Sequence, residues 1–126
     1  MKTRNIAAGV VCALLLALCC LCACSASALN VESRDDGVAI SAKTQADTMS
    51  MASFAAEDGE IATIAYDVEE GSIDISISNA YTGRVVYSET LADKGADTIV
   101  LDAGDYAVVI DARNMIGSVD IETEST

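Results

Sequence analysis

From position 37 to position 122, apolar side chains recur at every second residue in short runs separated by turn residues. That period is the mark of a strand with one buried face. Residues 37–43 (GVAISAK) put Val38, Ile40 and Ala42 together, and 60–69 (EIATIAYDVE) do the same for Ile64, Tyr66 and Val68. The clearest case is 72–78, where Ile73, Ile75 and Ile77 alternate with Asp74, Ser76 and Ser78. The Ala and Met content of residues 47–56 (DTMSMASFAA) would also suit a short helix ended by Gly59, but Thr48, Ser50 and Ser53 are weak helix formers, so a strand with Met49 and Met51 on one face is the preferred reading. Further strands are expected at 84–91, 97–102, 106–113 and 118–122, the last two with Tyr106, Val108, Ile110, Ala112, Val119 and Ile121 inward. Glu70-Gly71 reads as a tight hairpin, 79–83, 93–95 and 103–105 as turns, 114–117 as a connection, and 123–126 as a fraying tail. No stretch is long and helical enough to cross over between parallel strands. The expectation is therefore an all-β fold, an antiparallel β-sandwich (jelly-roll or Ig-like) of about 7–8 strands over residues 37–126.

The first 28 residues follow a different pattern. Lys2 and Arg4 precede an uncharged apolar run, 6–21, and small residues follow in CACSASA. These are the three zones of an export signal. Within it, Leu21-Cys22-Ala23-Cys24 resembles the lipobox of bacterial lipoproteins, a branched apolar residue, a variable one, a small one and then cysteine. The resemblance implies a signal peptide over 1–23, cleavage before Cys24, and lipidation of the Cys24 thiol. Two acyl chains or more hold a protein at a membrane stably, where one is marginal. Ser25 to Asp36 is small and polar, so 24–36 is expected to be a flexible, lipid-anchored tether. Cleavage after Ala26-Ser27-Ala28 would instead release a secreted domain, and an uncleaved 6–24 segment is long enough to span a bilayer.

Charge sharpens the picture of the exported part. All 20 acidic residues lie beyond the signal, against Arg34, Lys43, Arg84, Lys94 and Arg113, a formal charge of −15. Such a surface repels nucleic acid and anionic headgroups, so nucleic acid is excluded as a partner and any membrane attachment comes from the lipid. Neither a glycine-rich phosphate loop nor a dinucleotide fingerprint occurs, which excludes nucleotides and leaves no cofactor to expect. All five cysteines lie in the first 24 residues, so no disulfide can staple the domain. Cys19, Cys20, Cys22 and Cys24 sit in an apolar run without histidine, a poor metal cluster.

A second resemblance lies in the later part of the chain. Gly71 to Ile77, Thr82 to Tyr87 and Leu101-Asp102-Ala103-Gly104-Asp105-Tyr106-Ala107-Val108 are similar to small extracytoplasmic modules of bacteria, the pre-peptidase C-terminal domain and related jelly rolls. That resemblance covers roughly 60–122 and implies a binding or accessory module without catalytic residues. The chain also has no histidine, which removes the usual general base and commonest metal ligand. Carboxylate pairs such as Asp67 with Asp74 read as sheet-surface charges rather than a hydrolytic pair. Asp35-Asp36-Gly37, Asp58-Gly59-Glu60 and Asp102-Ala103-Gly104-Asp105 place carboxylates at turns where calcium could sit, but none matches a spaced calcium loop, and turn chemistry explains each. Tyr81, on a turn, is the natural sugar platform; Tyr66, Tyr87 and Tyr106 belong to inward faces.

The expected protein is thus a non-enzymatic, lipid-anchored binding or accessory module on the extracytoplasmic face of the cell membrane. Its partner is an envelope protein or a glycan. A glycan- or calcium-binding module is the alternative reading of its function, and a secreted form the alternative location. Cys24→Ser should leave the chain unprocessed or move it out of the membrane fraction. Unchanged fractionation and mobility, with processing lost on mutation of Ala28 instead, would identify ordinary secretion.

Overall fold

The computed structural model describes residues 28–125; the signal segment and Cys24 lie outside them. Six strands follow one another, β1 (Leu29–Arg34), β2 (Gly37–Ala56), β3 (Glu60–Asn79), β4 (Val85–Leu91), β5 (Lys94–Leu101) and β6 (Gly104–Glu124). Among the described residues there is no helix, and every strand pairing is antiparallel. The sheet order is β1-β2-β6-β3-β4, with β5 also on β3.

Three of these strands are 20 or 21 residues long, far beyond the usual five or six or so, and each changes partners midway. The first half of β3, from Glu60 to Val68, lies between β5 and the end of β6. Its second half, Ser72 to Asn79, lies between β4 and the start of β6. β2 pairs β1 and the end of β6 through Gly37–Ala42, then the start of β6 alone through Thr48–Ala56. Between the halves the register slips, at Ala42/Ala46/Thr48 in β2 and at Val68/Glu70/Ser72 in β3. The sheet has two halves joined by three bent strands.

Two glycines form the bend in the central pair. Gly71 has φ 69° and lies so close to the Arg113 and Asn114 carbonyls of β6 that a Cβ would overlap them. Gly117, on β6, presses in the same way on the Asp67 carbonyl and Val68 of β3. Each strand thus gives up its side chain where the other passes, the arrangement of a bulge that turns a strand without ending it. Ala46 and Met115, paired across β2 and β6 at the same level, are fully buried.

The alternation read from sequence holds on both halves. Val38, Ile40, Ile64, Ile73, Ile75, Ile77, Val108, Ile110, Val119 and Ile121 are all buried in one continuous apolar cluster. No polar or charged residue among the described ones is buried. Phe54 and Tyr106 stack at 5.5 Å between ring centroids, and the Tyr106 hydroxyl donates to the Asp102 carbonyl at 2.8 Å.

Several expectations are corrected. The seven to eight short strands become six, because 37–43 runs on into 47–56, 60–69 into 72–78, and 106–113 into 118–122. Glu70-Gly71 is therefore no hairpin. A left-handed glycine serves a turn or a bend equally, and the shared neighbour β6 selects the bend. The 24–36 tether loses Leu29–Arg34 to β1, whose Leu29 is buried and whose register runs from Leu29↔Ala42 to Arg34↔Gly37. With few apolar residues in that stretch, only the waiting edge of β2 makes it a strand. The tail is held as far as Glu124, with the Thr123 amide donating to the Asp36 carbonyl at 2.9 Å.

Gly83, on the β3–β4 turn, also has positive φ (78°) but has open space around its would-be Cβ. Gly83→Ala should therefore cost only the backbone strain, about 1–2 kcal/mol. Gly71→Ala adds a clash with backbone that cannot move aside, and should cost at least about 1 kcal/mol more. Urea midpoints of the two variants measure the difference, and equal costs would mean that Gly71 sits in an open turn.

Candidate functional site

The antiparallel order gathers every sharp turn of the described chain, apart from Ala92-Asp93, at one end. Asp35-Asp36 (β1–β2), Glu57-Asp58-Gly59 (β2–β3), 80–84 (β3–β4) and Asp102-Ala103 (β5–β6) lie there together. Backbone bonds tie them to their neighbours: Ala55 N to Asp35 O, Gly59 N to Leu101 O, and Ala80 N to Asp105 O, all at 2.8–2.9 Å. Leu29, where the described chain begins its first strand, lies at the opposite end with the bends, since it pairs Ala42.

The longest of these turns is internally braced. Asn79 Oδ1 accepts the amides of Tyr81 and Thr82, each at 2.9 Å, an Asx turn. The Asn79 carbonyl accepts Gly83 N at 2.8 Å, and the Thr82 hydroxyl accepts Arg84 N at 3.2 Å. The ring that this frame carries, Tyr81, is 96% exposed. Beneath it lies an open groove of about 600 Å³ lined by Asn79, Ala80, Thr82, Ala103, Gly104 and Asp105. A second hollow of about 260 Å³ between Arg34, Asp35, Phe54 and Asp105 shares Asp105 with it. A third, about 410 Å³ beside Asp35, Asp36, Glu57 and Glu60, continues around the end.

Seven carboxylates ring this end, Asp35, Asp36, Glu57, Asp58, Glu60, Asp102 and Asp105, with Arg34 and Arg84 the nearby cations. Arg34 is occupied, within 4.0 Å of Glu32, Asp36, Asp120 and Glu122. The three acidic turns weighed for calcium are all here, yet no group of three or more metal-ligating side chains could hold an ion among the described residues. Their carbonyls close turns instead: Asp35 O takes Ala55 N, and Asp36 O takes Thr123 N. What remains on offer is an exposed ring face beside carboxylate and amide groups, a set suited to stacking on a ring and accepting its hydroxyl protons.

The other sequence candidates fall elsewhere. Cys24 lies outside the described residues. Asp67 and Asp74 stand on opposite sides of the β3 bend. Asp74 is engaged, accepting Thr90 Oγ1 at 2.6 Å and Arg113 at 3.1 Å. Arg113 also meets Asp111 at 3.1 Å, and these two carboxylates hold its guanidinium pKa up. Tyr87 and Tyr106 are buried and Tyr66 half-buried.

One contact was not visible in the sequence. The Tyr87 hydroxyl on β4 donates to Asp97 Oδ2 on β5 at 2.6 Å, joining an edge strand of one half of the sheet to an edge strand of the other. Alternation could have placed Asp97 inward, but not opposite Tyr87. Burial first, then the bond to Asp97 and the charges of Asp97 and Glu89, push the Tyr87 phenol well above its ordinary pKa of 10.0.

No protein-family model matches the chain. No curated protein matches it either. Among solved structures it is similar to one described as "CBM4 structure and function", at 13% identity over 77% of this chain and 76% of that one, with a TM-score of 0.36. No helix among the described residues is long and apolar enough to cross a membrane.

The raised Tyr87 pKa carries a pH dependence. Below pH 10 the phenol is protonated in both states and its stabilisation is complete. Above the ordinary value the unfolded chain releases a proton that the folded one keeps, so stability falls. Tyr87→Phe should cost about 1 kcal/mol at neutral pH. It should also flatten, though not abolish, the alkaline decline, because the Tyr66 pKa is raised as well. Urea midpoints between pH 7 and pH 11 check both effects; parallel curves for wild type and variant would remove Tyr87 as the cause.

Proposed function

We propose that this chain is a lipid-anchored, extracytoplasmic β-sandwich acting as a non-enzymatic binding module of the cell envelope, with the turn end around Tyr81 as its ligand surface. Two observations support the two-layer reading. Both halves of the bent sheet bury an apolar face in one cluster, and Tyr87 bonds Asp97 from one half to the other. A single exposed sheet would leave those faces wet. The Leu21-Cys22-Ala23-Cys24 resemblance supports the anchor.

The observation that carries the binding role is Tyr81, a 96% exposed ring on a turn fixed by four hydrogen bonds above a groove. An exposed aromatic adds nothing to the fold, and a rigid one stacks on a ligand at small entropic cost. With Asp105 and Asn79 below it, the ligand class that fits is a saccharide, its apolar ring face on Tyr81 and its hydroxyls on the polar floor. The turn end lies at the far end of the sheet from Leu29.

The acidic rim favours a second reading, a protein partner with a basic patch. Screening the full chain against an array of envelope glycans separates the two. Saccharide binding should be little changed by salt, weakened by Tyr81→Ala by about 2 kcal/mol or roughly thirtyfold, and kept by Tyr81→Phe, with folding intact in both variants. Glycan binding indifferent to Tyr81→Ala would refute the site. No glycan binding, with capture of a basic partner that weakens as salt rises, would establish the second reading.

A further inference from the structure

On the saccharide reading of the Tyr81 groove, on which this step rests, we infer that its ligand carries free amino groups and that Asp105 is the residue that selects them. Asp105, the second residue of β6, pairs Ala55 on β2, and its backbone carbonyl accepts the Ala80 amide at 2.8 Å. That bond ties it to the residue next to Tyr81, so ring and carboxylate belong to one braced unit. A Cβ on Gly104 would lie only 3.1 Å from Asn79 Nδ2, so the floor between them closes because no side chain stands in the way. Asp105 is exposed and lines both the groove under Tyr81 and the hollow beside Phe54. Among the described residues its carboxylate has neither an ion pair nor a side-chain hydrogen bond.

What an unpaired carboxylate does to a bound sugar depends on the charges around it. Among the described residues no cation lines the groove. Arg34 lines the neighbouring hollow, but its guanidinium is shared among Glu32, Asp36, Asp120 and Glu122, and Asp35 adds a second carboxylate there. A saccharide stacked on Tyr81 therefore meets a negative field on its Asp105 side. A sugar bearing carboxylate or phosphate is repelled by that field. A neutral sugar offers hydroxyls, whose protons the carboxylate accepts. An amino sugar offers an ammonium, which brings opposite charge as well as protons, and charge-assisted hydrogen bonds are roughly twice as strong as neutral ones. Ring and acidic rim taken singly favour different ligands; an amino saccharide uses both, its ring face on Tyr81 and its ammonium on Asp105. Because Asp105 faces water, the gain over a neutral sugar is modest, about fivefold at low salt. Stacking is common to all three classes and indifferent to salt, whereas the ammonium's increment is screened by it.

The test compares a tetrasaccharide of N-acetylglucosamine with the same tetrasaccharide after its acetyl groups are removed. Affinities are measured for the full-length chain in detergent at about pH 6, where the amines are protonated. The free-amine form should bind about fivefold more tightly at low salt, and added salt should narrow the difference. Asp105→Asn keeps the shape and removes the charge, so it should bring the two affinities together. Glu69→Gln, an equal loss of charge on β3 at the bends, should leave the preference as it was, which separates a local site from attraction to the whole acidic surface. Tyr81→Ala should weaken both sugars alike and keep their ratio. Equal or tighter binding of the acetylated form, with both forms weakened by Tyr81→Ala, would overturn the amine selection and leave the Tyr81 site standing. A preference that survives Asp105→Asn, or that Glu69→Gln reduces as much, would remove Asp105 as its source. No binding of either sugar would overturn the saccharide reading together with the selection.

Discussion

The close crossing of β3 and β6 at Gly71 and Gly117 is the constraint on which the rest of the structure depends. At that point two strands approach nearer than any side chain permits, and both bend. The bend lets one 20-residue strand serve two neighbourhoods, so that six strands provide nine paired segments. It also places the bends at one end of the molecule and every sharp turn of the described chain but Ala92-Asp93 at the other. The position of Tyr81, of the grooves beneath it and of the acidic rim follows from that division.

The core and the surface divide the chemistry between them with little overlap. Buried positions hold isoleucine, valine, leucine and alanine, with Phe54, Tyr87, Tyr106 and Met115 the largest exceptions to that short list. No buried charge must be compensated among the described residues, so the acidic residues are free to occupy turns and outer faces. The cost is mutual repulsion across the surface, relieved locally by Arg34, shared among four carboxylates, and by Arg113, shared between two. Exposed pairs of this kind contribute little individually. Their effect is to hold the acidic side chains of adjacent strands in register, as with Asp74 and Asp111, which stand directly opposite each other.

The exposed ring of Tyr81 and the outward side chains of Met49, Met51, Val85 and Val100 break this pattern, standing in water without contributing to the core. Tyr81 is at the tip of a turn and the others lie on β2, β4 and β5.

By itself, the sequence determined which residues are inside. A period of two with branched aliphatic side chains leaves one register that buries them, and Ile73, Ile75 and Ile77 are buried as the alternation requires. It also determined that Tyr81 would be exposed, since a turn of Asn, Thr and Gly has no face to bury. Only the tertiary structure decided which strands were continuous. Gly71 has the same left-handed backbone in a hairpin as in a bend, and the choice came from β6, which pairs with residues on both sides of it. Likewise Leu29–Arg34 has too weak a pattern to be a strand alone and is one because the edge of β2 is there to receive it. Local pattern fixes the face a side chain takes, because that is a matter of its own solvation. Where the chain goes next depends on which neighbour satisfies its backbone hydrogen bonds, and that neighbour lies far away in sequence.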